Sequence, residues 1–375
     1  MFADPRWLLA ALCAVVVFQF ALDSGISETA IWIAAGLLLL RSQGCCCIRT
    51  WPRSLLALIL LVVLVLAITW AASPELTDAK RSERLVKFLV LTVSTYCVAK
   101  TVPPRTLWRS AAAVIAAVIL WQFAARHVTD SPYGEFQNPH YLAYFTLLLL
   151  PTLILIAWQF SRPYALGYVL LLLPAVDLVL NDHGKPLIPM LATGIAITIT
   201  LLVVATAWRR WTAPLLTGIG LMVALFVAPL AVEFFIEDER STIWADTLYM
   251  IASGSSAAWL IGNGLGSFGD HFVHFATAEI AYLTLPHNFV LEAVYELGLF
   301  VALVVIIAFT YLLVSAVRLT LVLDWPVLRA LARCNLATLI IWLVFSFFAF
   351  SVSSAYTLYP LAFIIGAHLV LMERA

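Results

Sequence analysis

The feature that most constrains the fold is a succession of long apolar stretches running through nearly the whole chain. A helix needs about 20 apolar residues to cross the hydrocarbon layer of a bilayer. About twelve stretches approach or exceed that length, at residues 7–22, 27–40, 54–72, 85–99, 106–124, 140–159, 163–180, 186–207, 213–232, 285–317, 332–352 and 356–372. They predict an all-α polytopic membrane protein with about twelve transmembrane helices in one domain, residues 1–375.

Composition supports the same class and excludes others. Hydrophobic residues make up 63% of the chain and charged residues 11%, whereas soluble domains are about 45–50% apolar and about 25% charged. No small-residue cleavage site follows residues 7–22, so this stretch is interpreted as the first span. The chain lacks a Walker-type glycine loop and a zinc-like Cys–His spacing, so we expect no cofactor, no metal and no nucleic-acid partner.

Basic residues predict the orientation of the chain, because cytoplasmic loops are enriched in Lys and Arg. With both termini in the cytoplasm, fourteen of the 21 basic residues fall on the inner side. The outer side receives the other seven, which are Lys80, Arg81, Arg84, Lys87, Arg126, Lys185 and Arg240. Long polar loops, at 73–84, 125–139 and 233–284, then also lie outside, so we expect any chemistry to occur there.

The long outer loop, residues 233–284, contains two patterns of interest. Residues 241–252 read as an amphipathic helix whose Trp and Tyr suit a membrane interface. A glycine-rich run follows, Leu260-Ile-Gly-Asn-Gly-Leu-Gly-Ser-Phe-Gly. Its backbone amides, that of Gly264 among them, are candidates to cradle an anionic substrate. A glycine-rich connector that binds no ligand is the alternative.

The tenth stretch begins with a polar cluster, because His287, Asn288, Glu292 and Glu296 fall within ten residues of an otherwise apolar helix. Pro286 fits a helix start. His287 is therefore predicted among the free first-turn amides, where the helix dipole favours an anion and a neutral imidazole base. Asn288, Glu292 and Glu296 share one face at four-residue spacing, and a carboxylate on that face is predicted to orient the imidazole or a sugar hydroxyl. A polar interfacial helix start is the alternative.

Cationic residues on the outer side are candidate partners for this histidine. They are Arg240 before the amphipathic helix, Lys185 at the mouth of the eighth stretch, and Arg81 and Arg84 in the first outer loop. A base beside several cations suits cleavage of a lipid pyrophosphate: the base takes a proton from the attacking hydroxyl, and the cations hold the leaving group. For each cation, a solvent or lipid-headgroup contact is the alternative.

Three blocks resemble the O-antigen ligase and polymerase superfamily of bacterial envelope enzymes. The first is Tyr133-Gly-Glu-Phe-Gln-Asn-Pro-His-Tyr-Leu-Ala, similar to a Gly-x-Phe-x-Asn-Pro-Asn segment before a span. The second pairs Arg240-Ser-Thr-Ile-Trp with Ile261-Gly-Asn-Gly-Leu-Gly-Ser-Phe, and the third is Pro286-His-Asn-Phe-Val-Leu-Glu. Together they cover roughly residues 133–300.

The resemblance implies a GT-C-like glycosyltransferase of the bacterial inner membrane that takes part in lipopolysaccharide biosynthesis. It implies an undecaprenyl-pyrophosphate-linked glycan as donor and lipid A-core, or a growing glycan, as acceptor, on the periplasmic face. His287 would be the base and Arg240 a pyrophosphate ligand. Lys185 stands where relatives carry Arg. A lysine keeps the positive charge but lacks the bidentate fork of the guanidinium. A ligase is favoured; a polymerase of the same superfamily and a transporter or flippase are the alternatives.

Overall fold

Helices account for nearly all of the residues that the computed structural model describes. These are residues 4–18, 24–42, 51–72, 77–128, 239–276, 285–348 and 354–375, with a few positions between 144 and 155. No strand occurs within these ranges, which confirms the predicted all-α class for this part of the chain. In chain order the helices are α1 (Pro5–Val17), α2 (Ser24–Ser42), α3 (Arg53–Ala72), α4 (Ala79–Thr101), α5 (Pro104–Val128), α6 (Glu239–Ser253), α7 (Ser256–Ile261), α8 (Phe268–Phe272), α9 (Phe289–Val322), α10 (Pro326–Phe348) and α11 (Ala355–Arg374).

Within the described residues, four helices are long and apolar enough to cross a membrane. These are α3, α5, α9 and α10, judged by length and composition, and they correspond to the stretches predicted at 54–72, 106–124, 285–317 and 332–352. The apolar helices α1 and α2 are shorter. The stretches predicted at 163–180, 186–207 and 213–232, and most of 140–159, lie outside the described residues. The total of about twelve spans therefore stays a prediction.

Helix α4 begins earlier than the apolar pattern indicated. The prediction placed a span at 85–99 and an outer loop at 73–84, but the helix starts at Ala79. Asp78 caps it, because its side chain accepts a hydrogen bond of 2.7 Å from the Lys80 amide, as N-cap aspartates do. Arg81 and Arg84 therefore lie on the first turns of a helix, not in a loop, since charged side chains interrupt an apolar pattern without interrupting a helix.

Helix α9 also departs from its predicted form, at its start and at its tenth residue. It begins at Phe289 with Asn288 as N-cap, so Pro286 precedes it. At Gly298 the backbone leaves the helix, with φ 76° and ψ 163°. Positive φ strains any residue with a Cβ, so a glycine here permits the break. The helix consequently consists of a short segment, residues 289–297, and a long segment, residues 299–322.

The main core joins α4 and α11, which pack closely along their lengths. A Cβ added at Gly366 would fall 2.6 Å from the Thr95 Cβ, so the glycine lets the two helices approach. At one end of this pair, the Lys100 Nζ lies 3.0 Å from a carboxylate oxygen of Glu373. The α4–α11 pair thus fixes α4, whose first turns carry Arg81.

Candidate functional site

The glycine-rich loop docks on the break in α9. The Asn263 amide donates to the Tyr295 carbonyl at 3.1 Å, and the Gly264 amide donates to the Glu296 carbonyl at 3.0 Å. These carbonyls lie at the end of the short segment of α9, where the break at Gly298 removes their helical donors. The loop therefore satisfies the backbone acceptors that the break exposes.

These contacts favour the connector interpretation of the glycine run over the anion cradle. The Gly264 amide, which the cradle would use, already donates a hydrogen bond to the Glu296 carbonyl. Gly262 and Gly298 serve close backbone approach, because a Cβ at Gly298 would lie 2.5 Å from the Gly262 nitrogen. The connector role that the sequence left open fits this geometry, and substrate binding by Gly264 stays a prediction without a contact to support it.

An ion cluster lies directly beneath this loop. Arg81 Nη1 lies 3.2 Å from Glu292 Oε1 and 3.0 Å from Glu296 Oε1. Both carboxylates are buried, with side-chain exposures of 3% and 2%. The Phe268 amide also donates to Glu296 Oε1 at 3.4 Å, and Asp78 Oδ2 lies 3.8 Å from Arg81 Nε. We call Arg81, Glu292 and Glu296 the acidic clamp.

The acidic clamp confirms one prediction and bears on two others. Glu292 and Glu296 share a face of α9, as their spacing indicated, because both reach the same guanidinium nitrogen. Glu292 contacts Arg81, and its predicted role in orienting the imidazole or a sugar hydroxyl stays a prediction. With both carboxylates ionised, the three side chains carry a formal charge of −1. The charge of Arg81 is thus offset inside the protein, which disfavours its predicted role as a pyrophosphate ligand.

His287 precedes α9 instead of lying within its first turn. The Asn288 side chain accepts hydrogen bonds from the amides of Val290 and Leu291, at 3.0 and 3.2 Å. Asn288 is therefore the N-cap, and its side-chain oxygen has a structural use. His287 is half-buried and has a φ of 51°, in the left-handed region. A non-glycine residue in that conformation marks a constrained position at the positive end of the helix dipole.

Helix α6 brings Arg240 to the same end of α9. Arg240 is the second residue of α6 and is 6% exposed. One turn later, Trp244 Nε1 donates to the Pro286 carbonyl at 3.0 Å. Pro286 immediately precedes His287. The chain therefore folds back at this point, because the helix whose second residue is Arg240 is bonded to the segment that carries His287.

Part of the apolar side of α6 packs on protein, and the position of this helix at the membrane interface stays a prediction. Ile243 and Met250 are buried against Phe268, Phe272 and Tyr295. Leu248 and Tyr249, by contrast, are exposed. The amphipathic period was identified correctly, but the sequence does not show whether lipid or protein covers the apolar side.

The other predicted cations lie apart from the acidic clamp or outside the described residues. Arg84 is half-buried and lies near Tyr359 of α11 together with Glu83 and Glu28. Lys185 lies outside the described residues, so its position relative to His287 stays a prediction. The sequence interpretation did not anticipate that Lys87 is buried against these two carboxylates, with Nζ–O distances of 2.9 Å to Glu83 and 3.2 Å to Glu28. The i,i+4 spacing of Glu83 and Lys87 was the available signal.

An apolar crevice of about 540 Å³ opens beside the acidic clamp. Its walls come from α3, α4, α9 and α11. Its lining includes Glu292, Glu296, His368 and Met372. The volume falls within the range of about 300–1,000 Å³ that is usual for ligand cavities.

No protein-family model and no curated protein sequence matches this chain. The resemblance to the O-antigen ligase and polymerase superfamily therefore stays a prediction from the motif blocks. In the described part of the chain, no group of three or more His, Cys, Asp and Glu side chains could hold a metal ion. The expectation of a metal-free reaction is likewise a prediction for experiment.

Proposed function

We propose that this protein is an O-antigen ligase-like glycosyltransferase. It transfers a glycan from undecaprenyl pyrophosphate to lipid A-core at the periplasmic face of the bacterial inner membrane, through an inverting reaction without a metal. Both termini lie in the cytoplasm. The transfer of repeats to a growing glycan, as in a polymerase of the same superfamily, is the nearest alternative.

The observation that carries the proposal is the hydrogen bond from Trp244 Nε1 to the Pro286 carbonyl. It joins two motif blocks that lie more than forty residues apart in sequence. A base and a cation are the minimum that displacement of a lipid pyrophosphate requires. The helix of Arg240 and the segment of His287 supply these two groups at one end of α9.

The reaction is a single displacement. The acceptor hydroxyl oxygen attacks the anomeric carbon while the bond from that carbon to the pyrophosphate oxygen breaks. His287 takes the hydroxyl proton, and the pyrophosphate leaves with the bonding electron pair, held by Arg240 and Lys185. The configuration at the anomeric carbon inverts. Arg81 is assigned a positioning role, because two carboxylates already offset its charge.

The apolar crevice supports a lipid-linked donor. Its lining includes Glu292 and Glu296, near the polar end of α9, and apolar residues of α3, α9 and α11. A polyprenyl chain is apolar throughout, so it matches such a wall while its pyrophosphate stays at the polar end. Its chain would then lie parallel to the spans.

His287→Ala in the host bacterium tests the proposal, with lipopolysaccharide examined by gel electrophoresis. A ligase predicts loss of the whole O-antigen ladder and accumulation of lipid-linked polymer. Core that bears a single repeat would assign the chain to the polymerases. His274→Ala is the matched control, because His274 is exposed and has no role in the proposal, so its ladder should be unchanged. A normal ladder in the His287 variant would refute the proposed glycosyltransferase activity.

A chelator added to the purified protein tests whether the transfer proceeds without a metal. Inhibition by the chelator would refute the metal-free reaction.

A transporter or flippase is the candidate from another class, and one buried group favours it. His368 lies in α11, is 1% exposed and bonds to Ser315 Oγ at 2.7 Å. Ionisable groups inside spans often mark transport pathways. We expect His368→Asn to leave the O-antigen ladder intact. Loss of solute uptake in this variant, together with a normal ladder in His287→Ala, would replace the ligase with a transporter.

A further inference from the structure

Helix α7 presents an apolar surface that no contact among the described residues buries. None of its residues is buried. Trp259, Leu260 and Ile261 are consecutive and are exposed by 44%, 55% and 41%. A run of consecutive exposed apolar residues is unfavourable in water and usually has a function.

The structure holds this surface at a fixed level beside α9. The Leu260 carbonyl oxygen closely approaches the Cα of Gly298, where any Cβ would collide with it. The Gly262 amide donates to the Ala258 carbonyl at 2.9 Å and ends the helix. Helix α7 therefore cannot move away from Gly298 without breaking a backbone-to-backbone contact.

Gly298 lies at one end of a segment that is long enough to cross the hydrocarbon layer. The long segment of α9, residues 299–322, is about 36 Å long at 1.5 Å per residue. That length covers a hydrocarbon layer of about 30 Å without any contribution from the short segment. Helix α7 also contacts α3, whose terminal Trp70 is 43% exposed, as expected of a tryptophan in an interfacial belt.

The exposed stripe of α9 begins close to the point where α7 meets Gly298. The stripe begins two residues after Gly298 and repeats every three or four residues. It consists of Phe300, Leu303, Ile307, Tyr311, Val314, Val317 and Leu321. A stripe of this kind on a membrane-spanning helix faces lipid, so lipid at its upper end also meets α7.

We propose that Trp259, Leu260 and Ile261 insert into the lipid layer at this end of the bundle. The partner is the bilayer itself, and α7 anchors the glycine-rich loop to its surface. The inference does not depend on the glycosyltransferase proposal, because it uses only the exposed apolar residues and the length of α9. The anchor sets the depth of the acidic clamp, since α7, the loop and α9 are joined through Gly262 and Gly298.

Photo-crosslinking to lipid tests the anchor. The purified full chain, with p-benzoylphenylalanine in place of Leu260, is irradiated in nanodiscs of phosphatidylcholine and phosphatidylglycerol, and lipid adducts are quantified by mass spectrometry. Position 307, in the lipid-facing stripe, is the positive control; Asp270, which is exposed on α8, supplies the negative control. We expect the yield at 260 to match that at 307 and to exceed that at 270 by about fivefold or more.

A yield at 260 no higher than at 270, while 307 is labelled, would overturn the proposal. Adducts to a second copy of the chain in place of lipid would do the same. A second measurement does not need the unnatural residue: Trp259→Phe is compared with the parent chain in bilayers brominated near the top of the acyl chains. The difference between the two emission spectra is the fluorescence of Trp259. Bromine should quench this fluorescence, and its persistence in the brominated bilayer would refute insertion.

Discussion

The acidic clamp leads to the sharpest prediction, for the substitution Arg81→Ala. Arg81 Nη1 contacts two carboxylates at 3.2 and 3.0 Å, each of them nearly inaccessible to water. Each contact has a Coulomb energy of about 5 kcal/mol at an effective dielectric constant of about 20. The desolvation of the three ions and the repulsion between the carboxylates oppose it. Removal of one partner from such a buried pair costs about 3–5 kcal/mol, because the other charges stay buried without compensation.

Thermal unfolding of the purified protein in detergent, followed by intrinsic fluorescence, measures this cost. We expect Arg81→Ala to lower Tm by about 5–10 °C, allowing for the smaller shift per kcal/mol in a long chain. Lys80→Ala is the matched control, since Lys80 is the exposed neighbour on the same turn, and its Tm should stay within about 1 °C of the parent value.

A third variant separates lost charge compensation from lost packing. The triple substitution Arg81→Met, Glu292→Gln and Glu296→Gln removes all three charges and keeps the side-chain volumes nearly constant. It should recover much of the Tm lost in Arg81→Ala, because no uncompensated ion stays buried. If Arg81→Ala unfolds at the same temperature as Lys80→Ala in the absence of ligand, the clamp does not stabilise the fold. Arg81 would then return to its predicted role in binding substrate.

Three further substitutions follow from single contacts, each measured as a change in Tm. Gly298→Ala should lower Tm strongly, because φ is 76° and a Cβ would meet the backbone of α7. The control is Gly36→Ala, which has open space around it and should leave Tm unchanged or raise it by an amount worth about 0.5–1 kcal/mol. Equal effects of the two substitutions would contradict the strained break at Gly298. Asn288→Ala should cost about 1 kcal/mol through loss of the cap, and Asn288→Asp should restore it; no loss would show that the cap does not stabilise α9. Trp244→Phe removes the hydrogen bond to Pro286 and part of the indole ring, which packs on the Phe268 cluster. We expect a loss of at least about 0.5–1.5 kcal/mol together with weaker transferase activity, and full activity would argue against the proposed convergence of Arg240 and His287.

The helices of the described residues were largely predictable, since apolar length alone indicates a span. The errors occur where polar residues continue a helix. Helix α4 starts at Ala79 because Asp78 caps it, although the apolar pattern begins only near residue 85. Conversely, α9 starts after Pro286, because the Asn288 side chain takes the two free amides of the first turn. A cap depends on a single side chain, and a hydropathy window does not detect it because the window averages that residue with its neighbours.

The partners within the site were less predictable than its members. The four-residue separation of Glu292 and Glu296 indicated that they share a face of the helix, and that prediction is confirmed. Their partner, Arg81, lies 211 residues from Glu292 in sequence, and no local pattern specifies such a contact. The amphipathic period of α6 similarly identified an apolar side but not its cover, which proved to be Phe268, Phe272 and Tyr295.

The glycine pattern had two physical explanations that a sequence cannot separate, and the break in α9 decides between them. A glycine run exposes amides for an anion, or it lets two backbones touch. Gly262 and Gly298 do the second, and the Gly264 amide completes the broken helix. The same contacts place Arg81 beneath the loop, so a substitution there would disturb the loop, α9 and the segment of His287 together. Loss of activity at Arg81 would therefore mimic loss of a substrate ligand, and only its effect on Tm without ligand distinguishes a positioning residue from a binding one.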